Sequence, residues 1–215
     1  MSEYNLLKTY PKAKRDIKAR SKDKTENIIK ISKQYGEMYF DGSREYGYGG
    51  YKYDGRWVPI AKEIISRYKL NHGDRVLDIG CAKGFLVKDL LSLGIDAYGI
   101  DISKYALKNC QPEVAGRLHL GSADNLPFPD KSFATTISIN TIHNLPRDKC
   151  IIALKEMERL APGKGFVQVD SYKTPHDKEV FLSWVLTATT HYYPEDWKKL
   201  FKEANYTGDF YWTLL

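Results

Sequence analysis

A chain of 215 residues, 42% hydrophobic and 28% charged, has room for one good-sized core and the composition of a soluble globular protein. No run approaches the roughly 20 consecutive apolar residues that span a bilayer, and the N-terminus lacks the basic-then-apolar layout of a secretory signal, so a cytoplasmic protein without a membrane span is expected. The net charge of +6 resides in residues 1–35, which hold 10 Lys and Arg against 4 Asp and Glu, while the three cysteines, Cys81, Cys110 and Cys150, lack the paired spacing of a disulfide framework or zinc site.

Residues 1–24 are polar and Lys-rich without clear periodicity. Such an arm can contact nucleic acid or an anionic surface, but a solvated, partly disordered leader is the favoured reading. Over 25–40, Ile28, Ile29, Ile31 and Tyr35 fall near a helical stripe behind a Thr25 cap. Residues 40–57, FDGSREYGYGGYKYDGRW, alternate glycine and tyrosine too densely for a helix or an ordinary strand. From 58 onward the spacing predicts helix 59–69, strand 75–80, helix 84–93, strand 96–100, helix 103–110, strand 117–121, strand 133–139, helix 148–160 and strand 164–171. Helices over 176–190 and 195–204 and a last strand, DFYWTLL, follow. Strands that are almost continuously apolar, alternating with amphipathic helices, specify an α/β architecture. It is a doubly wound, mostly parallel sheet in an αβα sandwich, with an N-terminal helical and loop extension over 1–57 and the main domain over 58–215.

The stretch RVLDIGCAKGF, 75–85, ends a buried strand in a glycine turn that opens a helix, a place where small ligands are held. The GxGxxG spacing of a dinucleotide site is absent, and Asp78 just before the turn would repel a pyrophosphate but suits a ligand carrying positive charge. S-adenosylmethionine has that pattern. Here the chain resembles the class I S-adenosylmethionine-dependent methyltransferases, whose first motif is similar to VLDIGCAKG.

Three further pieces carry the resemblance in order: AYGIDIS at 97–103, GSADNLPFPDKSF at 121–133 and TTISINTIHNL at 135–145. The resemblance implies a Rossmann-like fold that binds S-adenosylmethionine and releases S-adenosylhomocysteine. It places Asp78, Gly80, Cys81, Ala82 and Gly84 at the cofactor turn, Asp101 on the ribose hydroxyls, Ile102 against the adenine, Ala123 and Asp124 at the adenine edge, and Asn140 near the transferable methyl. Two departures stand out. Ala82 occupies the place of a frequent middle glycine, and the chain ends after a sixth strand where a seventh is usual.

Alignment of the nucleophile and exclusion of water supply most of the catalysis in methyl transfer from a sulfonium, and a base is needed only for a protonated acceptor. His143, just past the fourth strand of the domain, is the candidate base. Tyr46, Tyr48, Tyr51 and Arg56 in the Gly/Tyr segment read as a lid, and Asp170, Tyr172 and His191 as further walls of the acceptor pocket. A metal site from His143, Asp170 and His191 has no ligand spacing to support it, so no metal is expected. The leading expectation is a methyltransferase acting on an oxygen or nitrogen of a polar small molecule such as a sugar, nucleotide-sugar or natural-product intermediate. RNA or protein methylation guided by the basic arm comes second, and a non-catalytic cofactor-binding subunit third. The lack of an [ND]PP[YFW] element argues against adenine-style base methylation. An uncovered apolar strand at the C-terminus would favour a homodimer.

Overall fold

A computed structural model describes residues 1–11, 21–22 and 24–214. Among these, seven strands form one sheet: β1 (Ser2–Glu3), β2 (Arg75–Ile79), β3 (Asp96–Asp101), β4 (Leu118–Leu120), β5 (Thr135–Ile139), β6 (Gly165–Asp170) and β7 (Asp209–Thr213). Their order is β1-β7-β6-β5-β2-β3-β4, and every pairing is parallel. The helices are α1 (Glu26–Ser32), α2 (Glu37–Phe40), α3 (Val58–Tyr68), α4 (Phe85–Ser92), α5 (Lys104–Lys108), α6 (Arg147–Leu160), α7 (Pro175–Trp184) and α8 (Pro194–Glu203).

The alternation of strand side chains divides the core in two. Leu77, Ile79, Val167 and Val169 face α6 and α8, where Trp197, Phe201, Phe210 and Trp212 pack. Val76, Ile137 and Phe166 point the other way, onto Ile60 and Ile64 of α3 and Leu86 and Leu90 of α4. With both faces covered, the central strands have no polar side to present, as the apolar runs imply. The expected α/β Rossmann-like fold is present, with boundaries shifted by one or two residues.

Three expectations are corrected. The leader is not solvated from its start: β1 pairs with β7, Tyr4 N–H donates to the Phe210 carbonyl, and Leu6 is fully buried in the α3–α4 half of the core. The part of the leader at 12–20 lies outside the described residues. The seventh strand therefore comes from the N-terminus and is too short for a sequence period to reveal. Nor is the FYWTLL strand an uncovered apolar edge, since β7 lies between β6 and β1 with Phe210 and Trp212 buried, which removes the basis for expecting a homodimer.

The third correction concerns the helix expected over 176–190. It stops at Trp184, capped at its start by a Thr174–Asp177 capping box, and Val185 is already extended. Beyond it, Thr187, Thr189 and Thr190 are β-branched, and the hydroxyl of Thr190 bonds the Leu145 carbonyl at 2.7 Å instead of continuing a helix.

One ion pair binds these ends together. Arg67 of α3 holds Asp209 of β7 through two bonds of 2.8 and 3.0 Å while its guanidinium covers the Tyr4 ring at 4.4 Å. Leu6→Ala removes a fully buried side chain next to this junction and is expected to lower stability by about 2 to 5 kcal/mol, as for buried leucines in general, measured by urea unfolding.

Candidate methyl-transfer cleft

The strand order reverses between β2 and β5, since β2 leads on to β3 on one side and β5 to β6 on the other. At their carboxyl ends a crevice opens. Its floor is the turn from Gly80 to Gly84. The Gly80 N–H donates to the Ile100 carbonyl at 2.8 Å, and a Cβ on Gly80, whose φ is +82°, would stand 2.0 Å from Thr141 Oγ1. Only glycine fits there. Gly84, with φ +74°, opens α4. Ala82, at φ +50°, takes the left-handed conformation that ordinarily costs an L-residue roughly 1 to 2 kcal/mol.

Asp101 compensates for that strain. Its Oδ2 accepts the Ala82 N–H at 2.8 Å and its Oδ1 accepts the Ser103 N–H at 2.8 Å, so one carboxylate joins the turn to the start of α5. Burial nonetheless raises the Asp101 pKa above the usual carboxylate range, with the backbone donors opposing it. Asp78 is in a harsher place. Only 6% exposed, with no hydrogen-bond partner among the described residues, it is pushed up to about 8, first by desolvation and then by the negative charge of Asp101. Lys83, in the same turn, does not relieve it, because its ammonium bonds both oxygens of Asp41, at 2.6 and 2.9 Å, and the Tyr51 carbonyl at 3.1 Å.

The cleft is lined by Gly80, Ala82, Ile100, Asp101 and Ile102 on one side, Gly121, Ser122 and Ala123 at one end, and Ile139, Asn140, Thr141, Asn144 and Leu145 on the other. Tyr35, Tyr39, Phe40 and Tyr48 close it. Of the residues expected at the cofactor, Gly80, Ala82, Asp101, Ile102, Ala123 and Asn140 line it directly. Ile102 is an apolar side chain left 51% exposed, a surface for a flat ring. Asn140, at φ +54°, accepts the Thr213 hydroxyl at 2.6 Å. Gly84 and Cys81 shape the turn from beneath. Asp124 is turned aside to Lys149 at 2.7 Å and to the Ser122 hydroxyl.

The acceptor side differs more from expectation. Tyr48 lines the cleft, but Tyr51 lies beneath the cap, stacked on Phe85 at 4.7 Å. Arg56 is spent on Asp54, and Tyr46 does not reach the cleft. Tyr35, Tyr39 and Phe40, missed in the sequence because they read as the tail of a core-facing helix, form the wall instead. A glycine cue pointed to them: a Cβ on Gly47 would meet the Tyr39 carbonyl at 2.2 Å, so the Gly/Tyr segment folds back tightly over α2.

His143 is corrected as a base. It is buried outside the lining, its Nδ1 accepting the Asp170 N–H at 2.9 Å and its Nε2 lying 3.4 Å from Asp170 Oδ2. Burial lowers its pKa, which Asp170 only partly offsets. Asp170, Tyr172 and His191 likewise do not line the cleft, and the Tyr172 hydroxyl is taken by the His191 carbonyl at 3.1 Å. Among the described residues no three His, Cys, Asp or Glu side chains are grouped to hold a metal ion, and no helix is long and apolar enough to cross a membrane.

A parallel sheet with a crevice at its switch point and two desolvated carboxylates at the glycine turn suits a small cationic ligand. Residues 77–167 match the methyltransferase domain family. It is 30% identical over 133 residues to a demethylmenaquinone methyltransferase from Symbiobacterium thermophilum, covering 55% of this chain and 51% of that one. It is 27% identical over 168 residues to a sterol 4-C-methyltransferase from Caenorhabditis elegans, covering 72% of this chain and 49% of that one. The chain thus spans about half the length of these curated relatives. In fold it is similar to the YcgJ protein of Bacillus subtilis, with a TM-score of 0.52, 19% identity, and coverage of 67% of this chain and 66% of that one.

The residues present fit S-adenosylmethionine. Asp78 and Asp101 want a cation, Asp101 retains acceptor capacity for hydroxyls, and Ile102 offers an apolar face. Because the folded protein keeps a proton on Asp78 that the unfolded chain loses near pH 4, Asp78 costs stability increasingly as pH rises from about 4 to about 8. Asp78→Asn is therefore expected to raise the melting temperature by an amount that grows over that range. It should also weaken S-adenosylmethionine binding at pH 8, and calorimetry at several pH values reads both.

Proposed function

We propose that this chain transfers a methyl group from S-adenosylmethionine to an uncharged, ring-bearing small molecule held between the tyrosine cap and the 139–145 segment. The observation that carries this reading is the lining itself. Beyond Asp101, whose two oxygens already accept amide bonds, no Lys, Arg, His or Glu side chain among the described residues lines the cleft, and four aromatic rings do. Rings bind rings at low entropic cost, whereas a phosphate or carboxylate would meet the carboxylate of Asp101 without a compensating cation among the described residues. This narrows the expected acceptors away from nucleotide-sugars. Two relatives are named for demethylmenaquinone and sterol substrates, both uncharged ring systems.

When bound, S-adenosylmethionine supplies a methyl on a positively charged sulfur. The chain's own part is to orient and to dry. Asp101 and the Gly80 turn fix the nucleoside end, Asp78 holds positive charge, and Tyr35, Tyr39, Phe40 and Tyr48 exclude water from above. The phenol of Tyr35, pushed up to about 12 chiefly by burial, stays protonated at neutral pH and acts as a hydrogen-bond donor rather than a base. With His143 engaged elsewhere, the acceptor brings a nucleophile that needs no base from the cleft.

Incubation of the protein with methyl-labelled S-adenosylmethionine and a cell extract, followed by separation into organic-soluble, water-soluble and acid-precipitable fractions, tests this. Label in uncharged small molecules is the expected result. Label in phosphate-bearing metabolites would overturn the acceptor class, and label in the precipitate would favour an RNA or protein acceptor engaged by the basic arm. Binding of the cofactor with no transfer to any fraction would point to a non-catalytic subunit. Asp101→Ala is expected to weaken cofactor binding by about 1.5 to 3 kcal/mol, the worth of a hydrogen bond to a charged group, read by titration calorimetry.

A further inference from the structure

The buried imidazole of His143 is left without a role once it is removed from the cleft, yet it sits at a junction of three elements. The ring is fixed to the end of β6 by the Asp170 N–H, which donates to Nδ1 at 2.9 Å, so its own proton resides on Nε2, 3.4 Å from the Asp170 carboxylate. Its main-chain carbonyl accepts two amides from the segment after α7, those of Thr189 and Thr190, both at 2.9 Å. The short 3-10 turn Ile142–Asn144 that carries it delivers Asn144 and, just after, Leu145 to the cleft lining.

The Thr187–Thr190 segment meets the cap from the opposite side. The Thr187 hydroxyl faces the phenols of Tyr35 and Tyr39, whose rings meet edge-to-face at 5.2 Å, and the Thr189 hydroxyl accepts from Lys33 Nζ at 3.3 Å. Thr190 bonds the Leu145 carbonyl, which Cys150 of α6 also approaches from below, at 3.3 Å. One histidine thus connects the strand end, the lining turn and the segment against which the tyrosine cap closes.

We infer that His143 is a positioning residue that latches the Thr187–Thr190 segment to the end of β6 and so fixes the wall against which Tyr35 and Tyr39 hold the acceptor. The role rests on the cleft being the methyl-transfer site, but the latch itself can be measured without turnover. A protonated ring cannot accept the Asp170 N–H. The groups that bear on its titration are Asp170 on β6, which favours the protonated form, His191 on the following segment, which disfavours it, and burial, which dominates. The latch therefore holds at neutral pH and releases as pH falls below the ordinary histidine value.

The test compares amide-exchange protection of Thr189 and Thr190, corrected for intrinsic exchange, in the wild type, His143→Ala and His143→Asn from pH 7 downward, with protonation of the His143 ring followed by its imidazole NMR shifts. Asparagine keeps an acceptor near the Nδ1 position. Expected are a loss of about tenfold in His143→Ala at pH 7, the scale of one buried hydrogen bond, near-wild-type protection in His143→Asn, and a fall with acidification in the wild type alone. The same pattern should appear as a raised acceptor KM for His143→Ala with S-adenosylhomocysteine affinity unchanged. Equal losses in both variants, or wild-type protection that survives protonation of the His143 ring, would overturn the latch. The pH comparison of wild type with His143→Asn decides the matter even if His143→Ala does not fold. Failure of the wild type to bind S-adenosylhomocysteine would instead refute the methyl-transfer reading, leaving the exchange result to judge the latch.

Discussion

The cleft depends on a single carboxylate that is already engaged before any ligand arrives. Asp101 accepts the Ala82 amide on one oxygen and the Ser103 amide on the other, and so holds the strained Gly80–Gly84 turn against the end of β3. Were those bonds absent, Ala82 would have no reason to stay at positive φ and the crevice between β2 and β5 would lose its floor. The arrangement carries an electrostatic cost. The Asp101 charge bears on the buried Asp78, and Lys83 of the same turn is bonded to Asp41 instead. A cationic ligand relieves this repulsion, so the same constraint that shapes the site also selects the charge of what enters it.

That diversion of Lys83 is what attaches the cap. Asp41, just after α2, collects the Lys83 ammonium, the Tyr105 hydroxyl at 2.7 Å and the Tyr51 amide at 3.1 Å, while the Ser103 hydroxyl donates to the Tyr35 carbonyl at 2.6 Å. Three of the four ties run from the N-terminal segment to the cofactor turn or to α5. The cap is therefore built onto the nucleoside half of the cleft and reaches over to the acceptor half, where Thr187 and Thr189 meet it. Closure is shared between residues 35–51 and the segment after α7, two parts of the chain separated in sequence by strands β2 to β6.

The parallel sheet, the glycine turn and the placement of Asp78 and Asp101 were legible because each is written locally. Strand and helix periods repeat within ten residues, and a turn that brings backbone near a ligand admits little besides glycine. Thr25 as a helix cap was readable for the same reason. The misreadings share a different cause. Residues 1–6 are covered because β7 offers them an open edge and α3 a hydrophobic face, neither of which lies near them in sequence. Arg56 has the chemistry of a binding wall but is held by Asp54, and Tyr46 does not reach the cleft, while Tyr35 and Tyr39 read as the tail of a core-facing helix.

The sequence by itself thus determined the class of fold and the glycine turn at the carboxyl end of the sheet with Asp78 and Asp101 beside it, since those follow from short-range periodicity and from the steric demands of one turn. Only the tertiary structure decided what faces the acceptor. Whether a histidine at a strand end is a base or a latch depends on the bonds its nitrogens find, and Asp170, which takes them, is 27 residues away. A side chain's chemistry is set by its own atoms, but its availability is set by the partners that folding brings to it.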